Sequence, residues 1–166
     1  MLLPAVGMKW MMIIVGTVGC VSQEAPISSK VTLDDQTWTA TALSFDQLSP
    51  VDVNIVLAHE VDRAQCGWTA FQSVEFNILI GDRSTPHVLA PLDVTTPNSG
   101  RVVYTDEAQH EVLAVSGVVS PALTTWEFSE SEGHNVIAQV DGTFDLVLAD
   151  GHTLTGAFSA TPCDAR

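Results

Sequence analysis

Between Asn135 and Cys163 the chain carries a polar/apolar alternation that suits an antiparallel β-hairpin. Val136, Ala138, Val140, Phe144, Leu146 and Leu148 alternate with Asn135, Gln139, Asp141, Thr143 and Asp145. That period of two points successive side chains to opposite faces of a strand. Ile137 and Val147 alone interrupt the polar face. After Asp150-Gly151 the pattern returns, with Leu154, Phe158 and Ala160 set against Thr153, Thr155, Ser159 and Thr161.

Parity sharpens the turn. A two-residue loop of Asp150 and Gly151 would place Leu146 opposite Thr155 and set apolar faces against polar ones. A three-residue loop, Ala149-Asp150-Gly151 with Gly151 in the left-handed region, pairs Leu148 with His152, Leu146 with Leu154 and Val140 with Ala160. This register also predicts Phe144 across from Gly156 and Phe158 across from Gly142, each ring lying over a residue that has no side chain.

Other stretches show the same period. Trp38, Ala40 and Ala42 alternate with threonines; Val51, Val53, Ile55 and Leu57 alternate with Asp52 and Asn54; Val74, Phe76, Ile78 and Ile80 follow. Arg101–Thr105, Glu111–Ser120 and Thr124–Phe128 complete roughly eight short strands, with no convincing amphipathic helix. Residues 58–73 have neither alternation nor a helical stripe and read as a loop. Residues 83–100, with Pro86, Pro91 and Pro97, read as a long connection or a short edge strand around Val88. The expected fold is all-β: an antiparallel β-sandwich, with a partly open β-barrel as the alternative. Prolines between strands and two long connections favour crossings between sheets.

Lys9 followed by the apolar run Trp10–Val18, with Gly16, Thr17 and Gly19 before Cys20, reads as an export signal. That run of about nine residues is far shorter than the roughly twenty needed to cross a bilayer. A start at Met8 would make Met-Lys and the apolar run a more ordinary signal. Downstream of residue 19 the chain has 20 acidic and 5 basic residues, which argues against nucleic acid as a partner. The carboxylates are scattered rather than gathered in a long run, so solubility accounts for them best.

Thr17-Val18-Gly19-Cys20 resembles the lipobox of bacterial lipoproteins, although Thr17 stands where leucine is most common. The resemblance implies that Cys20 is acylated and becomes the first mature residue; cleavage after Gly19 into a secreted protein is the alternative. The implied plan is a signal peptide over 1–19, a lipidated tether over 20–30 and the β-domain over 31–166. Val21 follows the cysteine where aspartate would signal inner-membrane retention, so the outer membrane is favoured. The Gly-x-Phe, Asp-Gly, Gly-x-Phe and terminal cysteine of the hairpin are similar to the ending of many uncharacterised bacterial lipoproteins. With Cys20 lipidated, Cys66 and Cys163 remain as an even pair, and an oxidising compartment favours a disulfide between them.

No constellation carries recognisable chemistry. His59-Glu60-x-Asp62 falls short of the H-E-x-x-H zinc motif, and Asp106, Glu107, His110 and Glu111 would share one face in a helical turn, but the flanking strands favour an exposed turn. Asp34-Asp35, Asp141–Asp145 and Asp150 offer oxygen ligands without the ordered spacing of a calcium loop. There is no G-x-S-x-G elbow and no phosphate-binding glycine loop. Trp38, Trp68 and Trp126 read as core rather than as an exposed binding face. The expectation is therefore a noncatalytic binding or structural module held to the membrane by its lipid, without cofactor or metal and with no ligand indicated. The competing expectation is an enzyme or metal site assembled from His59, Asp62 and His110.

Overall fold

The computed structural model describes residues 29–46, 52–59, 72–81, 83–97, 100–131 and 133–163. They form β1 (Ser29–Leu33), β2 (Gln36–Asp46), β3 (Asp52–Ala58), β4 (Ser73–Leu79), β5 (Leu92–Asp93), β6 (Val102–Thr105), β7 (Glu111–Ser129), β8 (His134–Leu148) and β9 (Thr153–Pro162), with no helix among them. Around the sheet the order is β7, β6, β4, β3, β2, β1, β9 and β8, and β8 pairs back onto β7. Eight strands, each antiparallel to its neighbours in that order, thus close a barrel, and the two-residue β5 lies alongside β7. Where β1 begins, β2 and β9 also meet directly in a short parallel contact, Ala42 opposite Ala160.

The all-β expectation holds, but the sandwich does not form and the barrel is closed rather than partly open. The reason lies in β7. Pro121 suggests a break between two strands, yet it sits buried within one 19-residue strand opposite Gly142, with a register shift between Pro121 and Leu123. A bulge of this kind absorbs a residue that cannot donate to the ladder and bends the strand. Further shifts lie between Ala114 and Ser116 and between Thr125 and Trp126. Straight, 19 residues would extend about 60 Å, well beyond a domain of this size. Bent at its bulges, β7 pairs with β6 at its start, with β5 further on, and with β8 along most of its length. The short edge strand expected around Val88 is not there; pairing begins at Leu92.

Every strand of the ring contributes to the buried core: Val31 from β1, Ala40 and Ala42 from β2, Ile55 from β3, Phe76 from β4, Val102 from β6, Val119 from β7, Phe144 from β8 and Leu154 from β9. The outward positions of the β8–β9 ladder are mostly threonine, serine and aspartate. The predicted hairpin register is the observed one. Val140 faces Ala160, Leu146 faces Leu154, the Leu148 N–H donates to the His152 carbonyl at 2.8 Å, and Gly151 has φ 91°. At the start of β8 the expected parity fails. Gln139 pairs with Thr125 but Ile137 pairs with Trp126, so Ala138 is an extra residue, and Ile137 rather than Val136 or Ala138 is fully buried.

Gly142 and Gly156 are dictated by close approach. A Cβ on Gly142 would stand 2.6 Å from Phe158 Cζ and 2.7 Å from the Ser120 carbonyl; one on Gly156 would stand 2.5 Å from Phe144 Cζ and would overlap the Lys30 carbonyl. Backbone cannot yield as a flexible side chain can. Gly142→Val and Gly156→Val should each destabilise by about 3 kcal/mol or more, whereas Thr143→Ala at an exposed neighbouring position should cost less than about 1 kcal/mol. Urea denaturation of the three variants checks this, and equal stabilities would show that the rings do not lie over the glycines.

Candidate functional site

Strand directions gather the polar candidates at one end of the barrel. The β1–β2 turn, the end of β3 at His59, the β6–β7 turn and the β8–β9 turn all lie there. Leu33 and Gln36 flank the two-residue turn Asp34-Asp35. Asp34 has φ 50°, a left-handed conformation that aspartate tolerates better than most residues. Its N–H donates to the Thr153 carbonyl at 2.9 Å, and its carboxylate accepts from the Thr153 N–H at 2.9 Å and the Thr153 hydroxyl at 3.2 Å. His152 Nδ1 lies 2.5 Å from the other carboxylate oxygen. One side chain thus ties the first turn of the domain to the last.

The charges respond to that geometry. Hydrogen bonds from the Thr153 backbone and from His152 hold Asp34 below the usual carboxylate range. The bond to Asp34, followed by the charges of Asp34 and Asp150, pushes His152 above the usual histidine value. Both groups stand in solvent, so the pair is worth little individually.

The β6–β7 turn is organised by Asp106. Its carboxylate accepts from the N–H groups of Ala108 and His110, both at 2.8 Å, and lies 3.2 Å from His110 Nδ1. Those bonds, led by the His110 backbone, lower its pKa. The segment is the exposed turn that its flanking strands favour; the carboxylate and imidazole converge within it, and the carboxylate's bonds serve the loop itself. Just inside this end Tyr104 is buried to 5% exposure, and burial first, then the negative charges of Asp106, Glu107 and Asp150, push its phenol pKa up.

His59 is exposed and lies edge-on to Trp38, ring centres 6.0 Å apart. Asp62 lies outside the described residues, as do Cys20, Cys66 and Trp68. Among the described residues no group of three or more His, Cys, Asp or Glu side chains is placed to hold a metal ion. Asp141 accepts from Gln139 Nε2 at 2.8 Å, and Asp150 accepts from the His152 N–H at 3.2 Å. Trp38 and Trp126 are half-buried against the core. Cys163 is disulfide-bonded, its partner lies outside the described residues, and its N–H donates to the Ser44 carbonyl at 3.0 Å. Sequence reasoning had no signal for the Asp34–His152 tie, because it depends on β1 pairing with β9 across 118 residues. Comparison with protein-family profiles, curated proteins and solved structures returns no match.

The tie predicts a pH profile whose sign follows from the two shifts. Stability from Asp34 is present above the unfolded carboxylate value and is lost as pH falls through its lowered value. Stability from His152 is present below the ordinary histidine value and is lost as pH rises through its raised one. The pair should therefore stabilise most at about pH 5, between the two ranges. Thermal unfolding of wild type and Asp34→Asn across about pH 4–9 should show the largest difference near that point, shrinking toward alkaline pH. A difference independent of pH would show that the imidazolium plays no part.

Proposed function

We propose that the protein is a noncatalytic β-barrel lipoprotein of the bacterial cell envelope, acting as a binding or structural module and anchored through an acylated Cys20. The observation that carries the noncatalytic reading is where the chemistry-bearing side chains lie. The barrel centre is occupied by Phe76, Phe144, Phe158 and aliphatic residues, while Asp34, Asp106, His110 and His152 bond within or between turns. Support for a contact role comes from the outside. Of the large apolar residues left exposed, Leu113, Val115, Val118, Leu123 and Phe128 all belong to β7, and burying such a surface against another envelope component would be favourable.

The anchor rests on the lipobox-like leader. Cys20→Ser should shift the protein from the membrane to the soluble fraction, because multiple acyl chains are what make such anchoring stable. Unchanged fractionation, together with a mature mass lacking lipid, would refute it. The same plan pairs Cys163 with Cys66. Closing a loop of about 97 residues should stabilise the fold by roughly 4–5 kcal/mol in the chain-entropy model. Peptide mapping of the unreduced mature protein should recover the Cys66 and Cys163 peptides joined; a Cys20–Cys163 link would overturn both the pairing and the lipidation.

A further inference from the structure

The connection from β4 to β5 crosses the barrel end opposite the Asp34 turn. Ile80, Leu89 and Leu92 belong to the buried core, whereas Thr85, Pro86 and Val88 face solvent. Residues 83–92 therefore form a strap that completes the core beneath it. Ladder pairing reaches it only at Leu92, opposite Val119. Before that point it is held through side chains. The Leu89 N–H donates to Thr124 Oγ1 at 3.2 Å, Trp126 Nε1 donates to the His87 carbonyl at 2.8 Å, and Asn135 Nδ2 donates to the Arg83 carbonyl at 2.9 Å.

A further tie is the His87 ring. Nδ1 lies 2.8 Å from the Thr85 carbonyl oxygen and Nε2 lies 2.7 Å from the Ile80 carbonyl oxygen. Both oxygens can only accept. A neutral imidazole carries one N–H, so it serves one carbonyl and turns a lone pair toward the other; the ring protonated on both nitrogens donates to both. The ring also packs beside Trp126, with centres 5.3 Å apart and a tilt of 33°.

We propose that residues 83–92 form a proton-operated latch: with both His87 nitrogens protonated the strap is locked to Ile80 at the end of β4, and losing one proton frees one of the two bonds and loosens the strap over the core. From β4 the ring meets a carbonyl, and from β7 an uncharged indole. On the strap itself and at the start of β8 lie the charged and titratable groups Arg83 and His134, with Arg83 Nη1 3.1 Å from His134 Nε2. Arginine only donates, so His134 Nε2 accepts, and a proton added there opposes the latch.

The test uses the full chain labelled with ¹⁵N at histidine. The His87 ring signals are assigned through their contacts to Trp126, and hydrogen exchange of the 83–92 amides is followed across pH relative to the β8–β9 hairpin. Both His87 nitrogens should be protonated where the strap is fully protected, and strap protection should fall about three- to tenfold as the ring loses its second proton. His87→Phe keeps a ring beside Trp126 but no donors; its strap should be less protected by the same factor, with only the opposite, His134-derived slope remaining. A singly protonated His87 under a fully protected strap would overturn the latch, as would identical profiles in wild type and His87→Phe. Should the variant not fold, wild type alone decides: coincident midpoints for ring protonation and strap protection support the latch, and separate midpoints overturn it.

Discussion

Two aromatic rings lying over two glycines hold the barrel at its intended width. Phe158 covers Gly142 and Phe144 covers Gly156, and Phe76 from β4 meets both rings, at 5.1 Å and 6.1 Å between centres. Because neither glycine has a side chain, the rings can lie across the ladder and leave room for Phe76 in the shared core. The same missing side chains act sideways. Ser120 of β7 brings its carbonyl against Gly142, and Lys30 of β1 brings its carbonyl against Gly156. One hairpin thus sets the packing inside and permits close approach on both flanks, which are the two seams needed to close the ring.

Those two seams differ in character. The β7–β8 seam is long and repeatedly shifted in register, and Gly117 at φ 110° packs against the Asp145 backbone where a Cβ would overlap the Asp145 carbonyl oxygen. The seam through β1 is short, since β1 has only five residues between β2 and β9. A strand so short adds few ladder bonds, and the Asp34 contacts to Thr153 and His152 fasten its outer end. The Asp34 carboxylate is therefore best understood as part of the closure.

The hairpin register could be derived from the sequence because parity is a local constraint: one wrong step sets Leu146 against Thr155, and no neighbouring strand is needed to see the conflict. Closure could not be derived that way. It depends on β1 meeting β9 and β7 meeting β8, and on bulges that make Pro121 compatible with a continuous strand and invert the parity before Gln139. Proline between apolar segments ordinarily marks a break; here the bulge beside it removes the need for its missing donor. The site candidates divide on the same principle. Asp106 and His110 lie in one exposed turn that the flanking strands already implied, while Asp34 with His152 and His87 with Ile80 require the closed ring or the returning strap.

The histidines then show why a list of potentially reactive residues says little about function in a fold of this kind. A barrel exposes carbonyl and N–H groups wherever its strands end, and each must find a partner. Short polar side chains at the turns supply those partners: Asp34 for Thr153, Asp106 for Ala108 and His110, Asp150 for His152. Histidine adds a donor whose number of protons can change. His152 and His87 hold opposite ends of the barrel, His152 through the Asp34 carboxylate and His87 through two backbone carbonyls, while His134 Nε2 accepts from Arg83. The two ends therefore respond to acid through different contacts: the Asp34 end tightens as His152 is protonated, whereas at the strap the bonds made by His87 are opposed by the one that His134 gives up.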